Sequence, residues 1–245
     1  MSFKDLAPKD RILLVRAKVD RAKQNLIDME ISFDKFLGNP HRPNRKIQSF
    51  QRKQGGIHTY DVPFNVLCAA GDVIGNLVGA FDHLAFQLVM AHAPNTADNV
   101  LRNVYFPLAD DETRCKSRIK AIKKLIHPDA IELIKAIKPY SGGNEALALL
   151  HKLNNLSKHR LILNVAEIIV CHSASGRKDE KFLYKPGDVY FFGTWGRPQV
   201  DDYTLPTGIE TISEIRAGQP EALFPTLHYL ITVVDGLVQN FLPYL

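Results

Sequence analysis

Apolar residues recur every three or four positions along several stretches of the chain, and this spacing predicts α-helices with a buried face. The stretch around which the others are arranged is 71–89. Its apolar positions with helical spacing are Val73, Ile74, Leu77, Ala80, Phe81, Leu84, Ala85 and Leu88. A helix that is apolar around most of its circumference must be covered by other elements. We therefore expect 71–89 to be the central helix of the fold.

The same period predicts further helices on either side of this stretch. A long amphipathic helix is expected from 9 to about 36, because the Gly/Pro/Asn-rich segment 38–44 cannot continue it. Four more begin where a capping residue or a proline precedes an apolar pattern. They start at Asp110 or Asp111, Pro128, Asn144 and Pro220, and the first three end near 124, 138 and 157.

The pattern changes after Arg160. Residues 161–172, 190–195 and 203–215 are rich in β-branched and aromatic residues, which predicts three to five antiparallel strands. A β-hairpin is also expected over 46–63, around Gln54-Gly55-Gly56. The predicted fold class is α+β, a predominantly α-helical bundle with an inserted antiparallel β-sheet. One domain would cover 1–245, with a helical core at about 1–160 plus 219–245 and a β insertion at about 161–217.

Composition narrows the class of protein only slightly. A chain of 245 residues can bury a large core without disulfides. The three cysteines form no Cys-x-x-Cys pair, which favours a reducing cytoplasm. No run of about 18 apolar residues exists, so we expect no membrane partner.

The charge pattern leaves two interpretations open. The net charge of +5 is compatible with a polyanion partner and is also common in proteins without one. The helix beginning near Asp111 is the most basic part of the chain, with Lys116, Arg118, Lys120, Lys123 and Lys124. These residues form either a solvated face or a phosphate-binding face.

Two predicted helices carry polar residues among leucines. On the central helix Asp72, Asn76, Gly79 and His83 share one stripe, with Asp82 beside it. The second set, on the helix that begins at Asn144 or just beyond its end, is His151, Asn154, Asn155, Lys158, His159 and Arg160. An unpaired polar group on a buried helix costs about 1 to 3 kcal/mol, so we expect the two sets to meet, with Asp82 pairing Lys158 or Arg160.

These residues also carry a resemblance. The chain reads Gly71-Asp72-x-Ile74-x-Asn76-Leu77-x-x-Ala80-x-Asp82-His83-Leu84, then Phe106-Pro107, Pro139-Tyr140 and Leu153-Asn154-Asn155-x-x-Lys158-His159-Arg160. This resembles a family of uncharacterised bacterial proteins that have a G-D-x-x-x-N-L-R-S-A-L-D-H-L helix and a later L-x-N-x-D-K-H-R motif. The resemblance covers roughly 60 to 165 and implies no established activity.

The first of those motifs is in turn similar to the R-x4-6-H signature of HEPN domains, a helical nucleotide-binding and RNA-cleaving superfamily. In HEPN ribonucleases an arginine holds the scissile phosphate and a histidine acts in acid/base transfer at the ribose 2′-hydroxyl, without metal and usually across a dimer interface. The resemblance implies this role for His83, RNA or a nucleotide as partner, and a homodimer. The arginine position is Val78, so Lys158 or Arg160 would have to supply the cation. The family's aspartate before K-H-R is Ser157.

Two functions are therefore expected as alternatives. In the first, a HEPN-like protein binds RNA or a nucleotide, with or without residual metal-independent ribonuclease activity. Its candidate catalytic residues are His83, Asp82 and His159, and its candidate ligand-binding residues are Asp72, Asn76, His151, Asn155, Lys158 and Arg160. In the second, the same polar residues only lock two helices in register in a structural or partner-binding protein. No metal site or cofactor is expected, because H-E-x-x-H, P-loop and dinucleotide-binding motifs are missing.

Overall fold

The computed structural model describes residues 6–37, 55–61, 64–160, 165–172, 189–191 and 221–245. For the strand residues and for positions 36, 37, 64, 156 and 158–160 only the backbone is described. The α-helices in these ranges are α1 (Pro8–Leu37), α2 (Phe64–His92), α3 (Asp98–Leu101), α4 (Glu112–Ile122), α5 (Pro128–Ile137), α6 (Glu145–Arg160) and α7 (Leu223–Gln239). A short 3₁₀ turn follows at Leu242–Tyr244.

Helix α2 lies at the centre of the bundle, as its pattern predicts. All eight apolar residues used for that prediction are buried. Helix α1 packs along α2 in the antiparallel direction: Arg11, near the start of α1, donates a 3.0 Å hydrogen bond to Gln87, near the end of α2. Helix α6 packs against the first half of α2, where a Cβ on Gly71 would come within 2.8 Å of the Ser157 hydroxyl.

Helix α7 closes the bundle against α1. The Asp235 carboxylate accepts a 2.8 Å hydrogen bond from Lys23, and the Arg16 guanidinium lies 3.8 Å away. Seven residues earlier on α7, His228 lies 2.6 Å from Glu30. Because the later residue on α7 meets the earlier residues on α1, the two helices are antiparallel.

The predicted caps are confirmed, and they fix where the shorter helices begin. The Asp111 carboxylate accepts the backbone N–H of Arg114 at 2.8 Å. Pro128 stands in the first turn of α5. The Asn144 side chain accepts the N–H of Leu147 at 3.2 Å at the start of α6. These are local interactions between residues two or three positions apart, which is why the sequence reveals them.

Backbone strands occur at β1 (Gly55–Asp61), β2 (Val165–His172), β3 (Val189–Phe191) and β4 (Glu221–Ala222). They pair antiparallel in the order β1-β2-β3-β4. The predicted hairpin partner of β1, within 46–54, lies outside the described residues. Of the predicted β insertion, 161–164, 173–188 and 192–217 also lie outside them.

The predicted α+β class is wrong for the part of the chain whose side chains are described, and that part is all-α. Helices, including the 3₁₀ turn, account for 78% of the residues whose side chains are described, and strands account for none of them. The described core consists of helix and loop residues alone. A β-branched composition indicates only a local preference, whereas the fold class depends on which elements bury each other's apolar faces.

One described helix has the length and apolar character of a membrane span. The stretch Asn65–His92 of α2 reaches a mean hydropathy of 1.4, but 67% of its apolar window is buried inside the bundle. A core helix covered by other helices on most sides has the same composition. Its apolar surface is therefore accounted for by α1, α6 and α7.

The aromatic contact at the middle of α2 provides a test of the core. Phe81 is fully buried and lies 4.6 Å, centroid to centroid, from Phe106, which in turn lies 6.1 Å from Phe241. We expect Phe81→Ala to lower the free energy of unfolding by about 3 to 5 kcal/mol, the usual cost of a large core cavity. Urea denaturation would measure it. Leu13→Ala, at a position that is 61% exposed, is the control and should change stability by less than about 0.5 kcal/mol. Equal losses would show that Phe81 is not in the core.

Candidate functional site

The polar stripe on α2 is the side of the helix that faces solvent. Asp72 and His83 are exposed, and Asn76 is half-buried. The Asn76 amide donates a 2.8 Å hydrogen bond to the backbone carbonyl of Asp72, one turn earlier. Among the described neighbours, no atom outside α2 would meet a Cβ on Gly75. Among the described residues, this stripe is therefore mostly open to solvent.

His83 has a cationic neighbour that the sequence does not indicate. Lys18 of α1 lies along Gly79, with its Cδ and Cε 3.9 Å from a Cβ built there. Partial burial of the ring, and then the charge of Lys18, lower the pKa of His83 below its ordinary value. The imidazole is thus neutral at pH 7 beside an ammonium group. Only the antiparallel packing of α1 on α2 brings these two residues together.

Asp82 contacts the loop that carries Phe106. Its carboxylate accepts a 3.2 Å hydrogen bond from the backbone N–H of Phe106 and so holds the loop that carries this buried ring. Gly71 faces Ser157 on α6, and Asp82 lies eleven residues further along α2, which is about 16 Å of helix. The described contact of Asp82 is therefore with the loop that carries Phe106. This contact is far along α2 from Gly71, the residue that faces Ser157.

The polar residues of α6 form a contact of their own. His151 is buried, and its Nε2 lies 3.2 Å from the Asn155 amide and 3.5 Å from a carboxylate oxygen of Asp110. Asn154 is also buried. The backbone of the last turn of α6 carries Lys158, His159 and Arg160, whose side chains lie outside the described residues. That these side chains meet Asp82 or His83 stays a prediction.

A cavity of about 440 Å³ lies between α4 and α5, and lysines dominate its lining. On α4, burial of Cys115, Ile119 and Ile122 leaves the opposite side polar. Seven of the residues that line the cavity are polar: Lys116, Lys120, Lys123, Lys135, Lys138, Glu112 and Tyr140. The other two are Cys115 and Ile119. We call this cavity the basic groove.

The turn after α5 positions two of these residues. Lys138 ends the helix in the left-handed conformation, with φ of 52°. The chain then folds back so closely that a Cβ on Gly143 would lie 2.6 Å from the Lys138 carbonyl oxygen. Only glycine fits there without moving backbone, so Gly143 permits this tight turn. It places Tyr140 on the wall of the basic groove.

Ion pairing divides the lysines of the groove into two groups. Lys116 lies 2.9 Å from Glu112, and Lys135 lies 2.7 Å from Glu132, each within one helical turn. For Lys120, Lys123 and Lys138, no carboxylate oxygen of a described residue lies within 4 Å. The hydrogen bond and charge of Lys116 lower the pKa of Glu112, which keeps that carboxylate ionised.

The cysteine of the groove is not set up as a nucleophile. Burial raises the pKa of the Cys115 thiol, so it remains protonated near neutral pH. Among the described residues, no cluster of three or more histidine, cysteine and acidic side chains could hold a metal ion.

Sequence reasoning found part of the groove and missed the rest. The sequence predicts a basic face on α4, and three residues of that face, Lys116, Lys120 and Lys123, line the groove. Arg118 instead donates a hydrogen bond to the Leu108 carbonyl and holds the loop before α4. The contribution of α5 and of Tyr140 had no sequence signal, because it depends on how two helices pack.

The pKa of His83 can be tested directly. Replacing Lys18 by methionine should raise the pKa of His83, because the repulsive charge is lost, but should leave it below its ordinary value, because burial is the larger cause. An NMR titration of the imidazole protons would measure both values. Lys9→Met removes an exposed charge on the same helix and serves as the control. A pKa unchanged by Lys18→Met would mean that the two side chains are not neighbours.

Comparison of this chain with protein-family models, with curated proteins and with solved structures finds no match. The resemblance of the α2 and α6 motifs to the bacterial family and to HEPN domains therefore stays a prediction. The function has to be argued from the geometry of the described residues, above all from the basic groove.

Proposed function

We propose that this protein binds RNA through the phosphate backbone and that the basic groove between α4 and α5 is the binding site. The observation that carries the proposal is the convergence of five lysines on one concave surface of about 440 Å³. Like charges repel, so gathering them in one cavity costs free energy unless an anion offsets it. A concave surface also focuses the potential and attracts polyanions.

Tyr140 favours a single strand of RNA as the ligand. Proteins that bind single-stranded nucleic acids combine a basic groove with an aromatic ring on which a base stacks. The ring of Tyr140 is half-buried on the wall of the groove, between the lysines of α4 and Lys138.

Cleavage is not part of the proposal, because the chain has no arginine where a HEPN ribonuclease carries one. Val78 occupies that position and is buried in the core at 7% exposure. Lys18, the cation beside His83, is a single ammonium and cannot hold a phosphate in the two-point manner of a guanidinium. His83 is also not among the residues that line the basic groove.

The alternative function, a structural or partner-binding protein with a polar lock, is supported at two positions. Asp82 holds the Phe106 loop, and His151 contacts Asp110 and Asn155. Asp82 and His151 each tie their helix to the segment before α4, but neither contact joins α2 directly to α6 as the predicted lock does. These two contacts do not account for the basic groove. We therefore prefer RNA binding to the structural function.

The groove proposal predicts how two lysines affect RNA affinity. The double variant Lys120→Ala with Lys123→Ala should weaken binding of a single-stranded RNA. It should also reduce the slope of log affinity against log salt by about 1.4, because each phosphate contact contributes about 0.7 for a single strand. Fluorescence anisotropy of a labelled oligonucleotide at several salt concentrations would measure both.

The matched control removes the same charge from outside the groove. Lys124 and Lys152 are exposed and do not line the cavity. The double variant Lys124→Ala with Lys152→Ala should keep most of the affinity and of the salt slope. The same loss in both double variants would indicate non-specific attraction and would contradict the groove as the site.

The absence of cleavage is a separate prediction. Single-stranded RNA incubated in EDTA with the wild-type protein should remain as intact as RNA incubated with His83→Ala or without protein, as judged on a denaturing gel. Degradation by the wild-type protein that is lost in His83→Ala would contradict it. That result would instead indicate an active metal-independent ribonuclease.

A further inference from the structure

Glu112 is the one acidic residue among those that line the basic groove. Its carboxylate lies 2.9 Å from the Lys116 ammonium, and Tyr140, which lines the same cavity, interacts with it electrostatically. The charge of Lys138, from the turn after α5, also acts on this carboxylate. Groups from α4 and from the turn after α5 thus converge on a single anion.

This convergence divides the groove into an occupied part and an open part. Around Glu112, two lysines and a tyrosine hydroxyl already interact with a negative charge. Lys120 lies about two turns beyond Glu112 on α4, and Lys123 lies about three turns beyond it at the C-cap. Neither lysine has such a partner among the described residues. A carboxylate held by ammonium and hydroxyl groups occupies the same kind of environment that a phosphate oxygen would.

We propose that Glu112 is a built-in competitor for the phosphate site, so that the groove selects ligands with several adjacent phosphates over a single phosphate. This inference rests on the proposed function and deepens it. A single phosphate must displace a carboxylate that is attached to the site and therefore present at a high effective concentration. An RNA strand contacts Lys120 and Lys123 at the same time, and those contacts offset the displacement.

A pair of isosteric variants separates this role from a general charge effect. Glu112→Gln and Glu132→Gln each remove one negative charge and one pair with a lysine that lines the groove. Glu132 does not line the groove, whereas Glu112 does. Any difference between the variants therefore reports the position of the carboxylate and not the net charge.

The experiment measures RNA affinity by anisotropy and the concentration of inorganic phosphate that displaces the RNA. Glu112→Gln should tighten RNA binding about fivefold, the effect of one close charge screened by water, and Glu132→Gln by less than about twofold. Phosphate should displace RNA from Glu112→Gln at a lower concentration than from the wild-type protein. Thermal unfolding of each variant checks that α4 remains folded.

Tyr140→Phe supplies a second, neutral variant. It keeps the aromatic ring and removes only the hydroxyl that interacts with Glu112, so it should tighten RNA binding in the same direction but by less than Glu112→Gln. Equal tightening by Glu112→Gln and Glu132→Gln would overturn the competitor role while leaving RNA binding in the groove intact. No RNA binding by the wild-type protein or by any of these variants would overturn both proposals.

Discussion

The burial of α2 is the constraint on which the rest of the described structure depends. Leu77, Phe81 and Leu84 are fully buried, and α1, α6 and α7 each cover part of the helix. Removing that much apolar surface from water is the dominant favourable term in folding. Because the apolar surface extends around most of the helix, several helices must surround it, and only a narrow strip stays at the surface. The polar residues of α2 lie along that strip.

This arrangement changes the role that the polar residues of α2 are expected to have. A polar side chain on an apolar helix suggests a buried network, but Asp72 and His83 face water. Asp82, beside the strip, anchors the loop that carries Phe106, so its contact stabilises the core. The charge that could bind a ligand is concentrated instead on α4 and α5, in the outer layer. These short helices bury one face each and leave their lysines on either side of a shared cavity.

The basic groove contains lysines, which attract anions, and one carboxylate, which opposes that attraction. Arg118, which the sequence groups with the lysines, is used to fix the loop before α4, and Lys116 is neutralised by Glu112. Lys120, Lys123 and Lys138 have no carboxylate within 4 Å among the described residues. Glu112 limits the positive potential at one end of the groove, so the strength of the site depends on the balance between one carboxylate and the ammonium groups around it. Selectivity for closely spaced phosphates follows from this balance.

The sequence by itself determined the helices, because a helix depends on residues within one turn of each other. The caps at Asp111 and Asn144 and the apolar period of α2 are interactions of that range. The fold class predicted from the sequence was wrong, because runs of β-branched residues indicate only a local preference. The core is built by helices that are far apart in the chain. Only the tertiary structure decided that Lys18 lies beside His83 and that Tyr140 and Lys138 complete the basic groove. Such contacts depend on which helix faces pack together and in which register, and no short stretch of sequence contains that information.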